Sequence, residues 1–229
     1  GNTLMGLWRK LMAEFVGTAL LLACIVGSGI MGATLAQGND AIALLANAAA
    51  TAGMLYVLIV VFGPISGAHF NPAVTLVMRL RGELRNHETL AYLGMQMLAA
   101  LVGVLLAHAM FGVDLLQPGT RVRSGSAQWL SEGVATFGLL LTILLGAQFR
   151  PNAIAALVAS YIFAAYWFTA STAFANPAVT LARALTQSFA GIRPEDVSAF
   201  LVAQMIGAIL AWVTAFAFVG SRQVPKQEI

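Results

Sequence analysis

The chain has 229 residues, 59% of them apolar and only 9% charged, with a mean hydropathy of +0.84. Soluble domains carry roughly a quarter charged residues, so the composition excludes an ordinary water-soluble protein and puts the chain in a bilayer, with room for about six spans of roughly 20 residues each. The net charge of +3 is too thinly spread to point to nucleic acid, and a single cysteine, Cys24, excludes an intrachain disulfide.

In chain order, residues 1–10 form a short polar lead ending in Arg9 and Lys10. A first span over about 11–33 carries Glu14 and Cys24, the latter reading as a small core residue. It is too long, and too well followed by further spans, for a cleaved signal peptide. A turn at Gly38, Asn39 and Asp40 leads to a second span over about 41–62. Gly63, Pro64, Ser66 and Gly67 then break the helix before a half-length helix that starts at Pro72 and ends near Leu80. The charged segment 79–88 returns the chain to water, and a third span runs over about 90–113.

Residues 114–126, with Pro118, Gly119, Arg121 and Arg123, are the longest hydrophilic link. A fourth span, about 129–149, carries Glu132; after a turn at Arg150, Pro151 and Asn152 comes a fifth, about 153–168. A second half-helix follows from Pro177 to about Thr186, then a polar loop, a sixth span over about 197–219 and a tail with Arg222 and Lys226.

The halves are repeats. The hexapeptide Asn-Pro-Ala-Val-Thr-Leu occurs at 71–76 and again at 176–181, and residues 13–18, Ala-Glu-Phe-Val-Gly-Thr, match residues 131–136, Ser-Glu-Gly-Val-Ala-Thr. In each hexapeptide Pro72 or Pro177 suits the first turn of a helix, where its missing N–H has no partner to lose. Asn71 or Asn176 stands at the N-cap, accepting from free helix N–H groups while its amide still donates outward. Three spans per half is an odd number, so the second half enters the membrane from the opposite side and the repeats are inverted. The expectation is an all-α integral membrane protein of one domain over 1–229, with repeats at about 7–113 and 127–219. Six transmembrane helices and two re-entrant half-helices would make it up, the positive ends of the half-helices meeting at the midplane. With the N-terminus inside, Arg9, Lys10, Arg79, Arg81, Arg85, Arg150, Arg222 and Lys226 lie on the cytoplasmic side and Arg121, Arg123, Arg183 and Arg193 outside, which supports both termini being cytoplasmic.

The Glu14 segment, the run 66–75 through the first Asn71-Pro72-Ala73, and the second Asn176-Pro177-Ala178 resemble the aquaporin and aquaglyceroporin family, the major intrinsic proteins. The likeness runs in register from about Leu7 to Val219. It implies a homotetramer in the cell inner membrane, one pore per subunit, no cofactor and no resident metal, passing small neutral solutes down their gradients. In the family the carboxylates equivalent to Glu14 and Glu132 accept hydrogen bonds from the re-entrant loops; the other reading of the pair is a proton relay. His69 resembles a pore-lining loop histidine, with gating as the alternative. His87 and His108 have no such context and read as a loop residue and a membrane-end residue.

The chain departs from the family pattern at the second motif, where most members carry an Arg directly after Asn-Pro-Ala and this one has Val179. Counting without gaps puts the other positions of the narrow ring at Thr51, Ala164 and Ala173, all uncharged and small or medium. The ring is therefore expected to be wide and apolar, admitting solutes larger than water. Arg183, one helical turn beyond Val179, either supplies a displaced positive charge at the outer vestibule or faces headgroups or a neighbouring loop. Tyr166, Trp167 and Phe168 read as an interfacial aromatic belt, or narrow the mouth if the register slips. The run 166–183 with residues 189–192 further resembles a bacterial aquaglyceroporin branch associated with arsenic resistance, which implies passage of arsenite as its neutral hydroxide. A general glycerol and water facilitator is the alternative within the channel class. An ion-coupled secondary transporter, whose coupling site would have to use Glu14 or Glu132, is the alternative from another class. No paired nucleophile and base marks the chain as an enzyme.

Overall fold

The computed structural model describes residues 6–220, and among these there are helices and no strands. The order is α1 (Leu7–Ala36), α2 (Asp40–Ser66), α3 (Pro72–Leu80), α4 (Asn86–Met110), α5 (Ser126–Phe149), a 3₁₀ turn (Pro151–Ala153), α6 (Ile154–Phe168), α7 (Pro177–Arg183) and α8 (Pro194–Val219). Six of these are long and apolar enough to cross a membrane, α6 together with its 3₁₀ turn; α3 and α7 are the half-length pair. The protein is a multi-pass membrane protein. Arg222 and Lys226, used above for orientation, lie outside the described residues.

Element order repeats, α1 to α4 against α5 to α8, and so do the packing partners: α1 packs on α2 and α4, α5 on α6 and α8, and α2 meets α6 across the halves. Two glycines set the closest approaches. A Cβ on Gly103 of α4 would lie 2.4 Å from the Ala19 carbonyl oxygen of α1, and one on Gly207 of α8 would lie 2.3 Å from the Gly133 carbonyl oxygen of α5. Only hydrogen fits at either crossing, and the helix backbones there touch directly. Lipid-side positions carry large apolar side chains such as Ile42, Val57, Val60, Leu98, Leu130, Ile206 and Phe218, all exposed on the isolated chain.

Three boundaries differ from the expectation. Helix α1 begins at Leu7, so Arg9 and Lys10 are helical rather than part of a polar lead, and the Arg9 guanidinium lies over the Trp8 ring. Helix α2 runs through Gly63 and Pro64 to Ser66. A proline disfavours helix in the residue before it chiefly by clashing with that residue's Cβ and N–H; Gly63 has no Cβ, and the helix ends at Ser66, with Gly67 in the left-handed conformation as its C-cap. His87 is exposed in the first turn of α4 rather than in a loop.

Both half-helices start as the hexapeptide predicts. Asn71 caps α3, its side-chain oxygen accepting from Ala73 N–H at 2.9 Å, and Asn176 caps α7, accepting from Ala178 and Val179 N–H at 3.0 and 3.2 Å. Each is preceded by an extended strap, and in the two straps the positive-φ residues match: Gly67, Ala68 and Phe70 in the first, Thr172, Ala173 and Ala175 in the second. Non-glycine residues rarely adopt such φ values, so the straps need bracing from outside.

Candidate pore and its two mouths

The bracing comes from the two membrane carboxylates. Glu14 is fully buried, and its two oxygens accept from the backbone N–H groups of His69 (3.0 Å) and Phe70 (2.8 Å). Glu132, equally buried, accepts from Phe174 (2.8 Å) and Ala175 (2.9 Å). Ser66 Oγ accepts from Ala68 N–H, and Ser171 Oγ from Ala173 N–H. A second layer repeats as well: Gln96 donates to Thr75 Oγ1 and Gln204 to Thr180 Oγ1.

With their N–H groups tied back, the straps are left with carbonyls to present. Those of Gly67, Ala68 and His69, and of Ala173 and Phe174, accept no hydrogen bond among the described residues. These same residues line a cavity of about 490 Å³ that also touches both asparagines. The facing wall is apolar and two-fold related: Leu21 and Ile25 of α1 against Leu139 and Ile143 of α5, with Val158 and Ile162 of α6. The lining therefore combines hydrogen-bonding groups from the straps with aliphatic side chains from the helices.

At its centre the asparagines join the two straps. Asn71 Nδ2 donates to the Ala175 carbonyl and Asn176 Nδ2 to the Phe70 carbonyl, both at 2.8 Å. Each primary amide carries two N–H donors, so one donor of each asparagine remains for a solute oxygen in the cavity. The N-termini of α3 and α7 add partial positive charge at this point.

The mouth next to α3 is lined by Met78 and Glu83, the latter paired with Arg81 at 2.8 Å. His69 lines the cavity above it, and its Nδ1 meets Thr75 Oγ1 at 2.9 Å. The Thr75 hydroxyl also accepts from Gln96; with two lone pairs and one proton it can serve His69 Nδ1 as acceptor or as donor. In the second repeat Phe174 stands where His69 stands in the first, and Thr180 donates to the Asn176 carbonyl instead.

The mouth next to α7 is where sequence and structure part. Thr51, Ala173 and Val179 line the cavity, as counted from the motifs. Ala164 does not: it is exposed on the outer face of α6, and Tyr166, 2% exposed, turns inward in its place and donates its hydroxyl to Thr51 Oγ1 at 3.3 Å. The gapless count fails because the stretch between α6 and Asn176 is not fully extended: a turn closes from Thr172 N–H to the Thr169 carbonyl, so residue number does not track depth there. Trp167 and Phe168, at 46% and 57% exposure, face outward as a belt would.

Arg183 does not reach for headgroups. It is 1% exposed, lines the cavity, and its guanidinium lies 3.4 Å from the Phe174 ring centroid with Nε donating to the Ala190 carbonyl. By repeat equivalence its counterpart is Met78, so the two mouths differ in charge at one matched position. Arg123 was not singled out by the sequence beyond its place in the inter-repeat link. It too is buried, 4.8 Å from the same Phe174 ring, with Nε donating to the Gly191 carbonyl and Nη1 to Ser171. Burial, and then the charge of Arg183, push the Arg123 guanidinium well below its ordinary pKa. His108, expected only near a membrane end, is fully buried and bridges the Leu115 carbonyl (2.7 Å) and Thr186 Oγ1 (2.9 Å), tying α4 to the loop after α7. Cys24 is half-buried with Sγ against the Ala50 carbonyl, in keeping with a packing role.

Residues 2–153 match the family model described as major intrinsic protein. The chain is 53% identical over 205 residues to aquaglyceroporin AqpS of Rhizobium meliloti (strain 1021), a match covering 90% of this chain and 88% of that protein. It is 38% identical over 147 residues to probable aquaporin PIP2-8 of Oryza sativa subsp. japonica, covering 60% of this chain and 51% of that one. Among solved structures, the aquaglyceroporin from Plasmodium falciparum shares the fold, with a TM-score of 0.72 at 18% identity over 93% of this chain and 97% of that one.

Proposed function

The chain belongs to the major intrinsic protein family, and we propose that it is a passive channel for small neutral hydroxylated solutes: trivalent metalloid hydroxides such as arsenite, glycerol-like polyols, and water. The observation that carries this reading is the mixed lining of the cavity, in which free strap carbonyls and the two asparagine donors meet the aliphatic side chains of Leu21, Ile25, Leu139 and Ile143. A polyol or a metalloid hydroxide has hydroxyls that donate to those carbonyls and accept from Asn71 and Asn176, and a less polar face that slides along the aliphatic wall. Cations meet two half-helix N-termini and Arg183, and lose hydration against the apolar wall.

The filter in this reading is Thr51, Tyr166, Ala173 and Val179, with Arg183 one turn farther toward the mouth. Val179 leaves open the space that an Arg after the motif occupies in most of the family. His69 lines the opposite half of the pore. Glu14 and Glu132 act as scaffold: each has both oxygens engaged by strap N–H groups, which speaks against a coupling-ion or proton site and so against a secondary transporter. The chain works as a homotetramer in the cell inner membrane with both termini cytoplasmic. The family likeness supports this assembly, and the bias of basic residues supports the orientation.

The test is flux of water, glycerol and arsenite into proteoliposomes, native against Val179→Arg. Native passage of arsenite and glycerol, lost in the variant while water flux persists, supports the reading. A native protein that passes glycerol and water but not arsenite is instead a general glycerol facilitator. Flux that follows an imposed proton or sodium gradient would return the transporter reading.

A further inference from the structure

Arg183 is a buried cation with no salt bridge among the described residues; Glu132 acts on it only through space. Among the described residues neither Arg183 nor Arg123 nor Arg121 is ion-paired, and electrostatically the three sense one another. The carboxylates nearby have their oxygens hydrogen-bonded elsewhere. Both oxygens of Glu132 hold strap N–H groups, and those of Asp196 hold the Arg123 backbone N–H and the Arg193 guanidinium. The Ala190 carbonyl and the C-terminal end of α7 offset part of the Arg183 charge, but they carry partial charges only.

The guanidinium is also held in a fixed pose. Nε is committed to Ala190, the plane rests on Phe174, and the Tyr166 hydroxyl is a further neighbour. The terminal nitrogens carry four of the five guanidinium N–H donors; the Tyr166 hydroxyl takes up one, and no other acceptor meets them among the described residues. Arg183 lines the cavity. A planar fork of this kind, rigid and aimed into an open space, matches the paired oxygens of a carboxylate or phosphate.

We propose that this mouth is a binding site for a small oxyanion, a carboxylate or a tetrahedral phosphate-like ion, held by the Arg183 fork and supported by the fields of Arg123 and Arg121. The ion pairs directly with the guanidinium and stops there. To go farther it would have to leave the guanidinium and shed water against the aliphatic wall, which is costly for an ion. Bound at the mouth, it stands in the path of neutral solutes and slows them.

Inorganic phosphate is the probe, with chloride at matched ionic strength as the control. Purified protein is titrated with each salt, and the thermal unfolding midpoint is followed; ligand that binds only the folded state raises it in a saturable manner. The expected result is a rise with phosphate beyond that with chloride in the native protein, none in Arg183→Met, and a weaker rise in Arg183→Lys, which keeps the charge and loses the fork. Methionine is the residue the other repeat carries at the matched position, so the variant suits a similar packing environment, and the lysine variant stands beside it if it does not fold. In proteoliposomes, saturating phosphate should lower native glycerol flux at least twofold and leave the methionine variant unresponsive. A native midpoint that moves no more with phosphate than with chloride, or a methionine variant that responds as the native protein does, overturns the proposal. The binding measurement holds whichever neutral solute the pore passes, so its failure is separable from failure of the arsenite reading.

Discussion

Asn71 and Asn176 each donate to the carbonyl of the residue that immediately precedes the other, Ala175 and Phe70 respectively, both at 2.8 Å. The two bonds are related by the inverted repeat, and they make each half of the pore a structural partner of the other. Removing either asparagine loses an N-cap, about 1 kcal/mol, and a buried cross-bond, again about 1 kcal/mol. Asn176→Ala is expected to be destabilised by about 2 kcal/mol, and Asn71→Ala by a similar amount. Thermal unfolding in one detergent checks the pair, and markedly unequal losses would contradict the two-fold relation.

Glu132→Gln replaces one acceptor oxygen by an amide nitrogen that faces a backbone N–H. The strap then carries an unsatisfied buried donor, at a cost of about 1–3 kcal/mol, and its positive-φ residues lose half their bracing. Stability and flux should both fall, and flux should stay insensitive to a pH gradient before and after the change. Gradient-driven uptake by the native protein, abolished in the variant, would mean that the carboxylate is a relay instead of a brace.

The inward turn of Tyr166 and the outward turn of Ala164 give opposed predictions for neighbouring residues. Tyr166→Ala removes a ring from the cavity lining and the hydroxyl bonded to Thr51, and is expected to raise glycerol flux relative to water. Ala164→Phe adds bulk on the exposed face of α6 and should leave the flux ratio within about twofold, since surface substitutions away from packed features change little. Stopped-flow measurements on the two variants decide which residue borders the pore.

At the α5 and α8 crossing, a Cβ on Gly207 would fall 2.3 Å from the Gly133 carbonyl oxygen, which is backbone and cannot rotate away. Gly207→Ala should force the helices apart at a cost of about 1–3 kcal/mol, read as a lower unfolding midpoint. Gly94, on α4 with nothing near its Cβ position, is the control; Gly94→Ala should leave the midpoint unchanged or raise it.

The parts of this fold that were legible in the sequence are those where polarity is expensive. Glu14, Glu132 and the two Asn-Pro pairs stand out because nothing else in an apolar run resembles them, and their spacing revealed both the repeat and its inversion. Helix lengths followed from the hydrophobic runs to within a few residues, except where Gly63 let α2 pass through a proline. The lining of the mouth next to α7 is less legible. Val179 is fixed by adjacency to the motif, but the α6 position has to be counted through a turn-containing stretch, and Tyr166 rather than Ala164 lines the cavity there. Arg183 could be put on a helical face, yet the sequence held no signal for the aromatic ring it rests on or for Arg123 arriving on that ring from a link 60 residues away, since neither is periodic or local.

The reciprocal asparagine bonds also bear on how the chain is made. Synthesis delivers the first half to the membrane before the second exists, and during that interval the Asn71 amide and the Phe70 carbonyl have no strap opposite them. The lumen of the channel is thus one of the last things to form, closed when α7 descends to meet α3. An early half left alone holds unmet polar groups at mid-bilayer depth, the state that quality-control machinery in a membrane is suited to detect. A break in the chain between the halves should therefore be tolerated only when both pieces are supplied together.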